Sequence, residues 1–329
     1  MLHKIHKRSI LSIIDFLFSS FIWYVNASWG NTFLTCLILS TTTFLIIFTP
    51  FEIYWSFRDI WFDRWSKVYL KEISVSKVKI KINNGYLIAD LLMHKDKNLL
   101  DLKNTIVILS PGFSDDKLKL QYFYYPLASH GYVILTYDAG GIGESKKAGK
   151  RGDFIKRIED YKAIIRWIKS HEIFKKMNIY AVGFSIGAVT VLSGSFTDKD
   201  VKKIIAISSI SNYQKNLPKL NLFILFLYLI KGVKILLKDE ENKILSPYLI
   251  INGFKNSVSM EIWESYSKRV LLIHSRNDRI IKVHNFYENA KILELPEKNK
   301  LLFKRGGHVL KKNELSLVAN SLNFFNNIE

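Results

Sequence analysis

From about residue 75 onward, short β-branched runs alternate with helical segments, and few architectures accommodate that pattern. TIVILSPGF (105–113) has strand length and ends in Pro-Gly. Residues 117–130 read as a helix stopping at Gly131, and YVILTYD (132–138) as the next strand. In residues 153–172, Ile155, Ile158, Tyr161, Ile165 and Ile168 recur at helical spacing. MNIYAVGF is a further strand and IGAVTVLSGSF a helix; KKIIAISSI, RVLLIHS and KLLFKR are strands again. VKIKINNGYLIADLLM (78–93) alternates about Asn83-Asn84-Gly85, a hairpin signal. Short apolar strands separated by helices predict an α/β fold, a mostly parallel sheet covered on both faces.

The front of the chain obeys a different rule. Residues 10–25 (ILSIIDFLFSSFIWYV) and 32–49 (TFLTCLILSTTTFLIIFT) are apolar runs joined by an uncharged loop. A spanning helix needs about 20 apolar residues, with a lower limit near 17. The second run meets this; the first is short and holds Asp15, which is expensive in hydrocarbon. Trp23, Tyr24 and Trp29 stand where an interfacial aromatic belt would be. A two-helix hairpin over residues 1–50 is the preferred reading. A single span at 32–49 with an interfacial first helix, or a cleaved signal peptide, are the alternatives. Lys4, Lys7 and Arg8 flank one outer end and Arg58, Arg64, Lys67 and Lys71 the other, while the loop has no basic residue. The positive-inside rule then puts the bulk of the chain on the cytoplasmic face. Pro50 is expected to end the second run. Residues 51–74 then read as an interfacial or linker helix carrying Trp55, Trp61, Phe62, Trp65 and Tyr69. The third segment, 75–329, is the globular domain.

The formal charge is +19, and all but one unit of it lies beyond residue 66. Such a surface favours anionic lipid or nucleic acid. The lysines are scattered, however, and no zinc-ligand spacing or aromatic RNA-binding signature is present, so nucleic acid is not expected as a partner. The single cysteine, Cys36, lies in an apolar run and rules out an intrachain disulfide.

One stretch carries chemistry. YAVGFSIGA (180–188) places Ser185 between two glycines, with a strand before it and a helix after. A sharp strand–turn–helix throws the central hydroxyl outward at a helix N-terminus, and glycine at 183 and 187 removes side chains that would clash. A serine needs a histidine to take its proton and an acid to orient that histidine. Sites in open α/β sheets lie beyond the carboxyl ends of strands. There the chain offers Asp278, after RVLLIHS, and His308, after KLLFKR and Gly306-Gly307. His274, inside a strand, and His284, at a helix start, fit less well. An oxyanion hole needs two backbone N–H groups. Ile186 supplies one, and Phe113, in the Ser110-Pro111-Gly112-Phe113 loop, the other. No cofactor loop or metal cluster competes; Gly140-Gly141-Ile142-Gly143 lacks the Gly-Lys-Ser/Thr of a phosphate loop.

With these motifs in order, the chain resembles the α/β-hydrolase superfamily over about residues 75–329, in particular its monoacylglycerol-lipase-like and membrane-tethered serine hydrolases. The matching residues are Gly112-Phe113, YDAGGIGES (137–145), GFSIG (183–187), Asp278 and His308. Pro111 stands where the family often has histidine, and Gly140 where it often has arginine. Asp138 and Ser145 are read as structural. The resemblance implies the α/β-hydrolase fold, a Ser185–Asp278–His308 triad acting through an acyl-enzyme, and a helical lid at about 212–268. LNLFILFLYLIKGVKILLK (220–238) falls there and predicts one or two lid helices with apolar faces over Ser185. Tether and apolar lid together imply a membrane-resident ester or thioester as substrate. A peptidase acting on small peptides and a non-catalytic hydrolase-like scaffold are the competing readings.

Overall fold

The computed structural model describes residues 2–62, 70–83, 85–95, 103–113, 115–217 and 222–326. It divides into two compact units, Met1–Ser66 and Lys67–Glu329.

The first unit is a helical hairpin of α1 (Leu2–Ser28) and α2 (Phe33–Phe62), which folds back on α1 through a turn at Gly30 (φ 74°). Ser9–Ser28 and Phe33–Ile53 are each long and apolar enough to cross a membrane, a property a signal sequence near an N-terminus shares. Polar side chains sit where the helices meet. Ser40 Oγ donates to the Ser19 carbonyl at 3.0 Å, and Cys36 and Asp15 are both buried. Asp15 and Ser19, one turn apart on α1, therefore share a face turned away from the surroundings of the hairpin. The expectation that Pro50 ends the second run is corrected: α2 continues through Pro50 to Phe62 as one helix. Proline removes one backbone donor, but a long apolar helix keeps enough other bonds to absorb the loss with a local adjustment. The side chains of Trp55, Trp61 and Phe62, and residues Trp65 and Tyr69, lie outside what is described.

The second unit is an eight-stranded sheet: β1 (Ile73–Ile82), β2 (Gly85–His94), β3 (Thr105–Ser110), β4 (Val133–Tyr137), β5 (Asn178–Phe184), β6 (Val201–Ile207), β7 (Val270–Ser275) and β8 (Lys300–Phe303). The order is β1-β2-β4-β3-β5-β6-β7-β8. β1 and β2 form the expected hairpin, which pairs antiparallel with β4; from β4 to β8 every neighbour is parallel. The hairpin begins at Ile73 rather than near 78: Ile73 pairs with His94, and its side chain is buried.

Both faces are covered, and the period of two decides which side chain goes where. Ile106, Ile108, Ile204 and Ala206 pack with α4 (Phe154–Ser170) and α5 (Ile186–Ser195). Val107, Leu109, Ile205 and Ile207 pack on the other side with α3 (Gln121–Ser129) and α12 (Glu314–Asn326). α4 starts after Asp153, whose carboxylate accepts from the Lys156 N–H at 3.0 Å and caps the helix. Between β6 and β7, instead of one or two lid helices, five short ones succeed one another among the described residues: α6 (Tyr213–Asn216), α7 (Leu222–Ile230), α8 (Asp239–Leu245), α9 (Pro247–Lys255) and α10 (Met260–Lys268). Ser246-Pro247 and Ser259, which caps α10, break what hydropathy alone leaves continuous. α9 and α10 pack beneath the sheet through Ile251 and Trp263. Tyr213, Leu217 and Tyr228, from the front of the insertion, pack in one cluster with Phe113, Phe154 and Ile186. α11 (His284–Ile292) follows β7.

Candidate active site

Ser185 occupies the single residue between β5 and α5, at φ 56° and ψ −119°. A non-glycine residue seldom adopts such a backbone unless the surroundings enforce it. Here they do. A Cβ on Gly183 would fall 2.1 Å from the Gly187 carbonyl oxygen, and one on Gly187 would fall 2.2 Å from that of Ser110. The two glycines let β5, α5 and the loop after β3 approach this closely. The Ser185 N–H is fixed on the Ile207 carbonyl at 2.8 Å, and its own carbonyl accepts the first bonds of α5. The hydroxyl is thereby held at the helix N-terminus, half-buried.

Two further strand ends converge on it. His308 Nε2 lies 2.8 Å from Ser185 Oγ, and His308 Nδ1 lies 2.8 Å from Asp278 Oδ2. A carboxylate can only accept, so Nδ1 carries the ring proton and Nε2 is left to accept from the serine. The Asp278 side chain is fully buried. Burial pushes its carboxyl up, but His308 beside it, the bond from Nδ1–H, His274 and the Ile281 amide prevail and hold it below the ordinary value. Asp278 Oδ1 meanwhile accepts from the amides of Ile280 and Ile281 at 2.8 and 2.9 Å. The three side chains singled out in the sequence thus form one hydrogen-bonded chain.

Two further residues hold that chain in place: Asn277, which sequence reasoning missed, and His274, which it set aside. Asn277 Oδ1 accepts from the Gly307 N–H at 2.8 Å and from Ser275 Oγ at 2.7 Å, tying the acid loop to the histidine loop. His274, buried in β7, donates from Nε2 to the Ile281 carbonyl at 2.9 Å and stands 3.6 Å from Asp278 Oδ2. Burial keeps His274 below its ordinary value, favouring the neutral ring. The signal for Asn277 was its position next to Asp278; nothing in one dimension pairs it with Gly307. His284 instead faces Asn216 Oδ1 at 2.9 Å.

The loop after β3 lies against the elbow, since β3 pairs with β5 up to Ser110 opposite Gly183. The Phe113 ring packs on Phe154 and Tyr228, in one cluster with Ile186. This brings the two proposed amide donors, Phe113 and Ile186, to the same side of the sheet. Farther along, Asp138 accepts from the amides of Lys117 and Glu144 at 2.8 Å, and Ser145 Oγ accepts from the Ile88 amide at 2.8 Å, so both are structural. Beside the Asp278 loop runs a narrow, mostly apolar cleft bordered by Tyr213, Leu217, Tyr228, Ile280 and Ile281. A roomier hollow of about 510 Å³ lies at the far end of α5, by Lys162 and Arg166, away from this chemistry.

Residues 102–249 match the sequence model of the family described as serine aminopeptidase, S33. An uncharacterized 31.7 kDa protein of Escherichia coli, from the traX-finO intergenic region, is 29% identical over 109 residues. That match takes in 32% of this chain and 37% of the relative, little more than a third of its length. Solved structures share the fold at low identity. An esterase of Pyrococcus furiosus is 20% identical with a TM-score of 0.52, over 80% of this chain and 94% of its own. The acylaminoacyl peptidase of Pyrococcus horikoshii is 17% identical with a TM-score of 0.57, over 83% of this chain and 44% of its own. Est1E of Butyrivibrio proteoclasticus, with ferulic acid bound, is 18% identical with a TM-score of 0.54, over 75% and 97%.

Proposed function

We propose that this chain, which has the α/β-hydrolase fold, is a membrane-anchored serine hydrolase cleaving an ester or thioester of a lipid-like acyl group. The observation that carries the reading is the continuous 2.8 Å relay from Ser185 through His308 to Asp278. Ser185 Oγ attacks the acyl carbonyl while His308 Nε2 takes its proton. The carbonyl oxygen gains the negative charge, which the amides of Ile186 and Phe113 receive. The tetrahedral intermediate collapses, the acyl–oxygen or acyl–sulfur bond breaks, and His308 returns the proton to the leaving alcohol or thiol. A water, deprotonated by the same nitrogen, attacks the acyl-serine and releases the acid and the enzyme. Asp278 stays ionised throughout and stabilises the imidazolium.

The lipid part of the reading rests on α7 and on the two apolar N-terminal helices. Leu222, Phe226, Leu229 and Ile230 recur along one face of α7, and all four are exposed. Lys231 and Lys238, also exposed, follow it, as suits an anionic lipid surface. The other side of α7 sends Tyr228 down onto Phe113, at 5.2 Å between rings. Charge flanking the hairpin supports a cytoplasmic location for the catalytic unit.

The S33 match over residues 102–249 favours a second reading, a peptidase acting on small peptides, because the same relay cleaves amides. A fluorophosphonate probe tests both against a non-catalytic scaffold. Wild type should label and Ser185→Ala should not; a folded wild type that stays unlabelled ends both enzyme readings. Of the substrates, p-nitrophenyl esters of increasing chain length should then outperform aminoacyl amides. A preference for acetyl esters, or for amides, would reject the lipid assignment.

A further inference from the structure

Arg157, on α4, is buried to 3% exposure, and its Nη1 donates to the carbonyls of Gly112 at 3.2 Å and Pro111 at 3.4 Å. A buried cation is costly unless it is well paired. Arg157 is not fully paired: Nη2 has no hydrogen-bond partner among the described residues. Burial accordingly pulls the guanidinium down to about 10, against the opposing pull of Tyr137 and Asp115. An isolated surface role does not account for a guanidinium kept here.

Its target does. The carbonyl of Gly112 and the N–H of Phe113 belong to one peptide unit, which is planar and, like every described peptide, not cis. In a trans unit the C=O and N–H point in opposite directions. Drawing the Gly112 oxygen toward α4 turns the Phe113 N–H away from α4. The loop has little other freedom. A Cβ on Gly187 would meet both the Ser110 and the Pro111 carbonyl oxygens, and one on Gly112 would stand 3.6 Å from the Phe184 oxygen. Ser110 Oγ shares a 2.8 Å hydrogen bond with the Tyr137 hydroxyl, and the far end is clamped by Lys117, bonded to Asp90 and Glu144. Ser110 and Lys117 are anchored on either side, and Arg157 holds the peptide after Gly112 by its oxygen.

We infer that Arg157 is a positioning residue for the oxyanion hole: by holding the Gly112 and Pro111 carbonyls it aims the Phe113 amide at the oxygen of the tetrahedral intermediate. The inference rests on the serine-hydrolase reading above.

The test compares wild type with Arg157→Met, which keeps the buried bulk, and Arg157→Lys, which keeps the charge but not the fork. A reactive wild type secures the parent reading; an unreactive one removes it without touching the geometry of Arg157. With p-nitrophenyl esters, kcat per fluorophosphonate-labelled site should fall about 10²-fold in the Met variant, the scale for one oxyanion donor, while KM stays within about twofold. Inhibition by an alkyl trifluoromethyl ketone, whose serine adduct carries an oxyanion, should weaken by the same factor. The Lys variant should fall between the two. A merely structural role would lower the labelled fraction and leave kcat per labelled site and ketone affinity unchanged. Either that result, or loss of folding in both variants, overturns the inference.

Discussion

Ser185 keeps a backbone angle that most side chains avoid because its neighbours leave no alternative. The same logic applies to Asn277, whose single oxygen joins two loops that meet only in three dimensions. Asn277→Ala leaves the Gly307 amide and Ser275 hydroxyl to find water, at a cost of about 1–3 kcal/mol. The position of His308 should loosen more than the fold. We expect kcat/KM for a p-nitrophenyl ester to drop about tenfold, which corresponds to about 1.4 kcal/mol, with a fall in Tm of a few degrees. An unchanged kcat/KM would show that the histidine loop holds itself, through the 3.1 Å bond from Ser208 Oγ to the His308 carbonyl.

At the scale of elements, the β1–β2 hairpin is fastened to the rest of the sheet by a cluster of charges. Lys117 is almost wholly buried and bonds Asp90 at 2.7 Å and Glu144 at 2.6 Å, and Lys77 reaches Glu144 at 2.5 Å. The bonds from Lys117 and Lys77 hold the Glu144 carboxyl at about 2, against 4.5 ordinarily. Its folded value is depressed, so the unfolded chain takes up the proton first as pH falls. The stabilisation is complete above about 4.5 and is lost as pH drops toward about 2. Glu144 is half-exposed, so solvent screens much of the effect. Urea midpoints across that window should slope less steeply in Glu144→Gln than in wild type. Parallel slopes would mean that the Glu144 ion pairs do not carry the acid sensitivity of the fold.

At the scale of the whole molecule, the chain joins a hairpin of apolar helices to a sheet-based unit, and each has its own interior. The sole cysteine makes the arrangement testable. In a Cys36→Ser background, a cysteine introduced at Asn31, in the turn, should react with an impermeant maleimide only from the face opposite the catalytic unit. One at Lys71 should react only from the catalytic side. Labelling of both from one face would exclude a membrane span between the two positions, whether in a hairpin or alone.

The parallel core was legible because strand and helix periodicities are local, and so were the elbow and the Ser185, Asp278 and His308 positions, since each follows a strand and strand ends gather at one rim. Hydropathy likewise announced α1 and the start of α2, but overstated the power of Pro50, because one lost donor does not end a long helix that is otherwise intact. Three features required the folded chain: the division of the insertion into separate short helices, the bridge from Asn277 to Gly307, and the reach of Arg157 into the loop after β3. Each depends on a contact between residues far apart in sequence or on a capping choice made by packing, and neither leaves a periodic trace. The sequence by itself determined which polar side chains stand at the strand ends; tertiary structure decided which groups hold them there, because orientation is a property of contacts and not of composition.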